Sequence, residues 1–318
     1  MKCCIVGAGA IGVYLGVNLA RAGHDVTVAA RGKTLARLRE DGMTLTTLDG
    51  AVLTVRPRIA DTAFPDEAGK QDAVFVTVKG YSVPELVPVL AALSGAETIF
   101  IQNGLPWWYL AGCGDDALDP GGRLAAAVPA SRIIGCVTYA NVRNTGPGTA
   151  QHMGDDNFVL GRVDGRSDPA LEEITRAMTS AGLSAAISRS VARDIWIKLW
   201  GSVAFNPISA LTGATLDLIA QSEETGPTVR RIMREVEAVA TAMGIEFGIS
   251  VDERLAQAAK AGAFRTSMLQ DLDAGRRMEI DAIIGSVGAL ARRNGVAVPA
   301  TDTLLALIRQ KAWVSGLN

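Results

Sequence analysis

The segment that most constrains the fold of this chain is a glycine-rich turn close to its start. A short apolar run at 3–6 leads into the turn at 7–12, and a helix-like stretch at 13–22 follows at once. A G-x-G-x-x-G pattern binds a dinucleotide in this strand–turn–helix context, because the glycines permit a tight turn and a close approach of the pyrophosphate. A plain βα turn is the alternative, since the chain contains 34 glycines. The residues predicted to bind the cofactor are Gly7, Ala8, Gly9, Ala10, Ile11 and Gly12.

Strand-like and helix-like patterns alternate through the first half of the chain. This alternation predicts βαβ units and an α/β fold with a doubly wound, mainly parallel sheet of the Rossmann type. Asp49-Gly50 separates runs at 43–48 and 51–55 and predicts a hairpin. Runs at 149–153 and 157–161 predict a second antiparallel pair, so the sheet is expected to be mixed at one edge. The other runs predicted as strands are 3–6, 25–30, 73–78, 98–102 and 133–139.

The pattern changes near residue 189, after which strand-like runs nearly vanish. Apolar residues recur at helical spacing in 229–243 and in 280–290, and Pro299 precedes a last helical stretch at 301–311. The second half of the chain is therefore predicted to be all-helical.

The two halves define two predicted domains, and a chain of 318 residues is long enough for both. Residues 1–188 are predicted to form an NADP-binding Rossmann-type domain, and residues 189–318 a helical substrate and catalytic domain. Ligands of open α/β sheets bind outside the carboxyl ends of the strands, so the site is expected there, between the two domains.

Composition excludes several classes of protein. The formal net charge is −2 and 48% of residues are hydrophobic. Such a chain has no bulk attraction for nucleic acid or a membrane surface, and its apolar runs are too short to span a membrane. Because a structural strand begins the chain, we expect no signal peptide and a cytoplasmic location. His24 and His152 lack metal-ligand spacing to Cys or carboxylates, which argues against a metal site and a Ser-His-Asp triad.

Three polar residues follow predicted strands in the first half. Arg31 ends the second strand, at the position where an acidic residue would bind the ribose hydroxyl of NAD and an arginine accommodates the 2′-phosphate of NADP. Lys79 and Asn103 follow the runs at 73–78 and 98–102, at the same edge as the glycine turn. Solvated strand-end and turn residues are the alternative. The arginine favours NADPH as the cofactor.

A polar stripe lies on a predicted helix of the second half. Lys198, Ser202 and Asn206 are spaced i, i+4, i+8 and share one face of a segment rich in Trp, Phe, Ile and Val. The stripe is either a solvated face or a site, and lysine is seldom fully buried without a partner, which favours a site. Pro207 is expected to kink or end this helix at Asn206.

A further polar element comes later in the same half. Thr266 or Ser267 is a suitable N-cap, and Gly275 interrupts the pattern before a long helix that Glu279 opens. An acid at a helix start is favoured by the helix dipole, so the local pattern by itself explains Glu279.

Together these elements resemble the ketopantoate reductase family (2-dehydropantoate 2-reductase) over essentially the whole chain. The most specific motifs are the glycine turn, the Lys198 to Pro207 segment, and Ser-Met-Leu-Gln-Asp at 267–271 with Glu-Ile-Asp at 279–281. The resemblance implies NADPH-dependent reduction of a 2-oxo acid to a 2-hydroxy acid. Its default reaction is the conversion of ketopantoate to pantoate in pantothenate biosynthesis.

The resemblance also implies roles for individual residues. Lys198 and Glu279 match catalytic residues: the lysine would stabilise and protonate the carbonyl oxygen, and the glutamate would orient it or bind a substrate hydroxyl. The implied cofactor-binding residues beyond the glycine turn are Arg31, Lys79, Asn103 and Asn141, the last through its backbone. The substrate-binding residues are predicted to be Asn103, Lys198, Ser202, Asn206 and Ser267.

Three departures from the family pattern leave the substrate open. Ser202 stands where the family commonly has an asparagine, Phe264 replaces a polar contact, and the connection at 106–130 is long and aromatic. A less polar pocket suits a bulkier or aromatic 2-oxo acid, which is one alternative.

Two further alternatives concern the class of protein. One is another Rossmann-plus-helical dehydrogenase, of the 6-phosphogluconate or 3-hydroxyacyl type, which lacks the motifs at 267–281 at this spacing. The other is a non-catalytic NADPH-sensing protein. The expected partner is a small-molecule 2-oxo acid, and a homodimer is left open.

Overall fold

The computed structural model describes residues 1–110 and 118–317, which divide into two compact units. Unit 1 comprises Met1–Gln102 and Asp119–Val191, and unit 2 comprises Asn103–Leu118 and Ala192–Asn318. This division differs from the predicted boundary at 188/189 in one important respect. The segment after Gln102 belongs to unit 2 and not to the unit that contains the strands.

Strands are confined to unit 1 within the described residues. They are β1 (Lys2–Val6), β2 (Asp25–Ala30), β3 (Met43–Thr46), β4 (Val52–Val55), β5 (Arg58–Asp61), β6 (Ala73–Val76), β7 (Glu97–Phe100), β8 (Ile133–Thr138), β9 (Val142–Gly146), β10 (Thr149–His152), β11 (Asn157–Arg162) and β12 (Ser184–Ile187).

Helices occur in both units, and unit 2 is built from them. They are α1 (Ala10–Arg21), α2 (Gly32–Asp41), α3 (Val87–Ala92), α4 (Trp107–Leu110), α5 (Arg123–Ala127), α6 (Pro169–Ser180), α7 (Val191–Thr212), α8 (Leu216–Gln221), α9 (Gly226–Ala242), α10 (Val251–Ala259), α11 (Ser267–Asp273), α12 (Ser286–Arg293) and α13 (Pro299–Val314). No helix among the described residues is both long and apolar enough to cross a membrane.

Unit 1 is organised around an eight-stranded sheet with the order β12-β11-β8-β7-β6-β1-β2-β5. The chain places β2 on one side of β1 and β6 on the other, and both pair with β1 in parallel. Strand order therefore reverses between β1 and β6, which makes this the topological switch point of a doubly wound fold. The predicted Rossmann-type, mainly parallel sheet is confirmed.

The predicted antiparallel elements are partly right. The hairpin around Asp49-Gly50 is present as β3 and β4. The sheet is mixed at one edge, because β11 is antiparallel to β8. The predicted pairing of 149–153 with 157–161 is wrong: β10 pairs with β9 and β3 in a separate four-stranded sheet, while β11 belongs to the large one. The residues between them carry the chain from one sheet to the other instead of forming a hairpin turn.

Helix α1 places the glycine turn firmly in unit 1, because it is buried along most of its length. It contacts β1 and also β3 and β10 of the smaller sheet. A Cβ on Gly16 would lie 2.9 Å from the Cε of Met43, so this glycine lets the helix approach β3 closely. The helix is thus held by packing on two sides.

Helix α7 runs for 22 residues along unit 2 and buries most of its side chains. Trp196 and Trp200 are fully buried, and the Trp200 ring stacks on Phe247 with ring centroids 4.2 Å apart. Of the two expected effects of Pro207, an end of the helix at Asn206 is wrong, since the helix continues through Pro207 to Thr212. Burial on several faces stabilises the helix enough to offset the backbone hydrogen bond that proline cannot make.

The predicted helix at 280–290 contains an irregularity. A π-helical turn spans Asp281–Gly285 and leads directly into α12. Such turns widen the backbone locally and occur frequently at functional sites. This one immediately follows Glu279.

Candidate functional site

The glycine turn at the end of β1 is held between the two neighbouring strands. The N–H of Gly7 donates to the carbonyl of Ala29 at 3.0 Å, and the N–H of Thr77 donates to the carbonyl of Val6 at 3.0 Å. Gly7 has φ +100°, which favours glycine. A Cβ on Gly12 would lie 2.0 Å from the carbonyl oxygen of Gly7. The turn can form only with glycine at both positions.

Gly9 has a different environment from the other two glycines. It is the N-cap of α1, and a Cβ placed on it would meet no described atom within 4 Å. Gly9 has no side chain to cap the helix, and the first turn of α1 carries no acidic residue. Uncapped amide hydrogens and the positive end of the helix dipole therefore face open space, which fits a pyrophosphate group. Cofactor binding by residues 7–12 stays a prediction that this geometry supports.

Thr77 is a residue of this region that no sequence motif indicated. It follows β6, and its hydroxyl donates to the carbonyl of Gly7 at 2.8 Å while lying 3.2 Å from the carbonyl of Val6. The hydroxyl therefore holds the glycine turn from the switch-point side. The available signal was a single threonine inside the apolar run at 73–78.

Arg31 and Lys79 lie in the segments that follow β2 and β6. Arg31 is the N-cap of α2, and its Nη1 is 2.5 Å from Oε2 of Glu85. Lys79 is half-buried and precedes a 3-10 helix over Gly80–Leu86. The ion pair with Glu85 was not anticipated from the sequence. Both basic residues stand at the edge where the resemblance implies cofactor binding.

Asn141 is less suited to its expected role. Its N–H donates to the carbonyl of Asp155 at 2.7 Å, and its carbonyl accepts from the N–H of Met153 at 2.7 Å. The backbone is thus engaged in the connection between the two sheets. The carbonyl oxygen keeps a second lone pair, and the cofactor contact of Asn141 through its backbone stays a prediction.

In unit 2, three predicted site residues form a continuous hydrogen-bonded chain. The Nζ of Lys198 donates to Oδ1 of Asn103 at 2.8 Å, and the Nδ2 of Asn103 donates to Oε2 of Glu279 at 3.2 Å. Glu279 is buried, whereas Lys198 and Asn103 are half-buried. An amide has an acceptor end for the ammonium and a donor end for the carboxylate, so asparagine suits the middle position.

Asn103 is placed by the backbone that follows it. The N–H of Leu105 donates to the carbonyl of Ala282 at 2.8 Å, inside the π-helical turn. Gly104 has φ +83°, and a Cβ on it would lie 2.1 Å from that carbonyl oxygen. Glycine is required here by backbone conformation and by contact. The turn after Glu279 therefore fixes the segment that carries Asn103.

A second attachment holds the same segment against α7. The hydroxyl of Tyr109 accepts a hydrogen bond from Nε1 of Trp196 at 2.8 Å, and the two rings meet edge to face with centroids 6.3 Å apart. These contacts explain why the segment belongs to unit 2. The long connection at 106–130 is only partly described: Trp107 and Trp108 are buried, and residues 111–117 lie outside the described residues.

The polar stripe of α7 is half-buried, and the residues on either side of Ser202 and Asn206 are buried. The Ser202 hydroxyl donates to the carbonyl of Lys198 at 3.0 Å, so part of its hydrogen-bonding capacity is used within the helix. Asn206 lies on the same face one turn further on. This stripe is partly accessible, as a binding face requires, and the substrate roles of Ser202 and Asn206 stay predictions.

The motif at 267–271 forms the start of α11. Thr266 is its N-cap and accepts from the N–H of Leu269 at 3.3 Å, which leaves Ser267 as the first helical residue, half-buried. Phe264 is 41% exposed. The substrate role of Ser267 likewise stays a prediction. Within the described residues, no group of three or more His, Cys, Asp and Glu is placed to hold a metal.

Comparison with known proteins agrees with this arrangement. The family model for ketopantoate reductase PanE/ApbA matches residues 3–165, and the model for the C-terminal part of that family matches residues 190–312. A 2-dehydropantoate 2-reductase from Mesorhizobium japonicum is 39% identical over 99% of both chains.

Two solved structures share the fold. A protein from Ralstonia solanacearum MolK2, provisionally named a ketopantoate reductase, has a TM-score of 0.94 and 38% identity over 100% of this chain and 99% of its own. D-mandelate dehydrogenase in complex with NADH and anilino(oxo)acetate has a TM-score of 0.88 at 21% identity, covering 100% of both chains. The family matches together span most of the chain, and the chain therefore belongs to the ketopantoate reductase family of oxidoreductases.

Proposed function

We propose that this protein catalyses the NADPH-dependent reduction of a 2-oxo acid, with ketopantoate as substrate and pantoate as product. The observation that carries the proposal is the hydrogen-bonded chain from Lys198 through Asn103 to Glu279. The names of the curated relatives favour ketopantoate over a bulkier acid. The proposed product would enter pantothenate biosynthesis.

Lys198 is the residue proposed to act on the carbonyl oxygen. Reduction of a ketone places negative charge on this oxygen, and an ammonium aimed at it stabilises that charge and donates the proton from Nζ. A lysine side chain is ordinarily protonated at neutral pH. Lys198 is half-buried on a stripe of polar side chains, so it combines partial access with restricted motion.

Asn103 and Glu279 are proposed to position Lys198. The amide oxygen of Asn103 accepts from Nζ and restricts its direction, while Oε2 of the buried Glu279 accepts from the amide nitrogen and prevents the amide from turning over. A substrate hydroxyl is a second group that Glu279 could accept from.

Unit 1 is proposed to hold the cofactor. Residues 7–12 would bind its pyrophosphate, Arg31 its 2′-phosphate, and Lys79 a further phosphate or ribose oxygen. Bound NADPH would supply the hydride. Arg31 supports NADPH over NADH. D-mandelate dehydrogenase has this fold and its structure contains NADH, so the proposal of NADPH rests on Arg31 and not on the fold.

The proposal is tested by following loss of NADPH absorbance with ketopantoate, phenylglyoxylate and pyruvate, each also run with NADH. We expect the highest kcat/KM for NADPH with ketopantoate, and loss of turnover but not of NADPH binding in Lys198→Ala. A higher kcat/KM for phenylglyoxylate than for ketopantoate would indicate that the substrate is an aromatic 2-oxo acid. NADPH binding without turnover of any acid would instead support a sensing protein.

A further inference from the structure

An exposed ion pair joins two segments at the predicted cofactor edge of unit 1. The Nη1 of Arg31 lies 2.5 Å from Oε2 of Glu85, and the side chains are 64% and 55% exposed. Arg31 follows β2, and Glu85 lies in the 3-10 helix Gly80–Leu86 that follows β6. The two residues are therefore brought together by the sheet and not by the local sequence.

The strand order shows that the ion pair joins the segments on either side of β1. Strands β2 and β6 flank β1 and run parallel to it, so the segments after all three strands leave the sheet at one edge. Neighbouring strands are about 4.8 Å apart, which places the ends of β2 and β6 about 10 Å from each other. The long side chains of Arg31 and Glu85 span this distance beside the glycine turn, where a dinucleotide binds at a switch point.

The pairing of Arg31 with a carboxylate affects which cofactor binds. A guanidinium binds a carboxylate and a phosphate through the same planar set of N–H donors, so Glu85 and a 2′-phosphate compete for Arg31. An exposed pair is only weakly stabilised, and a phosphate dianion can displace the carboxylate. NADH has a 2′-hydroxyl and does not require that displacement.

We propose that Glu85 is a specificity-determining residue, whose carboxylate competes with the 2′-phosphate for Arg31 and so reduces the preference for NADPH over NADH. This inference rests on the proposed cofactor site. It goes beyond that site because it assigns to a residue outside the binding motifs a role that opposes the favoured cofactor.

The test measures dissociation constants of NADPH, NADH, adenosine 2′,5′-bisphosphate and AMP by titration calorimetry, with wild type and Glu85→Gln. We expect NADPH and the bisphosphate to bind about two- to fivefold more tightly to the variant, the range typical of an exposed ion pair. NADH and AMP should bind as they do to wild type. Glu40→Gln is the matched control, because Glu40 is an exposed glutamate of unit 1 that pairs with Arg37 instead.

A double-variant experiment separates competition from a general charge effect. In an Arg31→Ala background, Glu85→Gln should no longer change the affinity for NADPH. Weaker NADPH binding by Glu85→Gln would mean that Glu85 positions Arg31, and equal tightening of NADPH and NADH would mean a general charge effect. Either result overturns the inference. If wild type binds NADPH but Glu85→Gln leaves the ratio of the NADPH and NADH dissociation constants unchanged, this inference alone is overturned. If wild type binds no NADPH, the proposed cofactor site is overturned as well.

Discussion

The glycine turn of unit 1 and the Lys198–Asn103–Glu279 chain of unit 2 are built in opposite ways. The turn uses consecutive residues, and its chemistry comes from backbone amides at the start of α1. The hydrogen-bonded chain uses side chains separated in sequence by 95 and 176 residues, and its chemistry comes from an ammonium, an amide and a carboxylate.

This difference determines how each region responds to substitution. A backbone site is damaged where an added Cβ meets the backbone or occupies the space of the ligand, and is otherwise tolerant of side-chain change. A side-chain site is damaged by loss of any one functional group, and by any shift of the segment that carries it. The following substitutions separate these responses.

The largest effect is expected for Lys198→Ala. Loss of a group that stabilises and protonates the carbonyl oxygen should lower kcat by about 10²- to 10⁴-fold, while the NADPH dissociation constant stays as in wild type. Steady-state kinetics and calorimetric titration measure the two quantities. Lys260→Ala, at an exposed position of unit 2, is the control. Equal loss of NADPH binding and of rate would contradict the proposed role.

The glycine turn is best tested with a pair of alanine variants. Gly12→Ala forces a Cβ to 2.0 Å from the Gly7 carbonyl oxygen, so the free energy of unfolding should fall by about 1–3 kcal/mol and NADPH binding should weaken with it.

Gly9→Ala is the matched partner, because its Cβ meets no described atom within 4 Å. Unfolding free energy should change by less than about 1 kcal/mol, yet NADPH binding should weaken, because the added methyl occupies the space assigned to pyrophosphate. Thermal denaturation and NADPH titration give both readouts. Unweakened binding in Gly9→Ala would exclude a close approach of the cofactor at this residue.

The backbone that carries Asn103 is tested by Gly104→Ala. A left-handed φ and a contact of 2.1 Å with the Ala282 carbonyl oxygen should together lower the free energy of unfolding by about 1–3 kcal/mol. The folded fraction should show a lower kcat. Gly95→Ala is the control, since a Cβ there has no described neighbour within 4 Å. Normal kcat in the folded variant would mean that catalysis does not depend on this placement of Asn103.

The smallest effect is expected for Glu279→Gln. The neutral side chain still accepts from Asn103 but lacks the carboxylate charge, so kcat should fall by about fivefold, equivalent to about 1 kcal/mol. Glu223→Gln, at an exposed position of unit 2, is the control. A pH–rate profile distinguishes positioning of the ammonium from a purely structural role. An unchanged profile with reduced stability would indicate the structural role.

Much of unit 1 could be predicted from the sequence because its signals are local. The apolar run before Gly7, the turn and the helical periodicity after it involve neighbours along the chain, and the structure has each of them. The pairing predicted for 149–153 with 157–161 failed because alternation specifies a strand but not its partner. Those two strands belong to different sheets.

The residues of the hydrogen-bonded chain could be identified individually from the sequence, but the contacts between them could not. Lys198 was indicated by its place on a polar helix stripe, Asn103 by its position after a strand, and Glu279 by the family resemblance. Their hydrogen bonds depend on Gly104 fitting against the π-helical turn. The contact of Thr77 with the glycine turn could not be predicted, because one threonine in an apolar run forms no distinctive pattern.

By itself, the sequence determined the glycine turn, the doubly wound sheet, the helical second half and the family, because these follow from local periodicity and short motifs. Only the tertiary structure decided that the segment after Gln102 belongs to unit 2, that Asn103 links Lys198 to Glu279, and that Glu85 pairs with Arg31. Each of these depends on packing between residues far apart in the chain. Sequence spacing does not encode such contacts, whereas strand order and helix packing impose them.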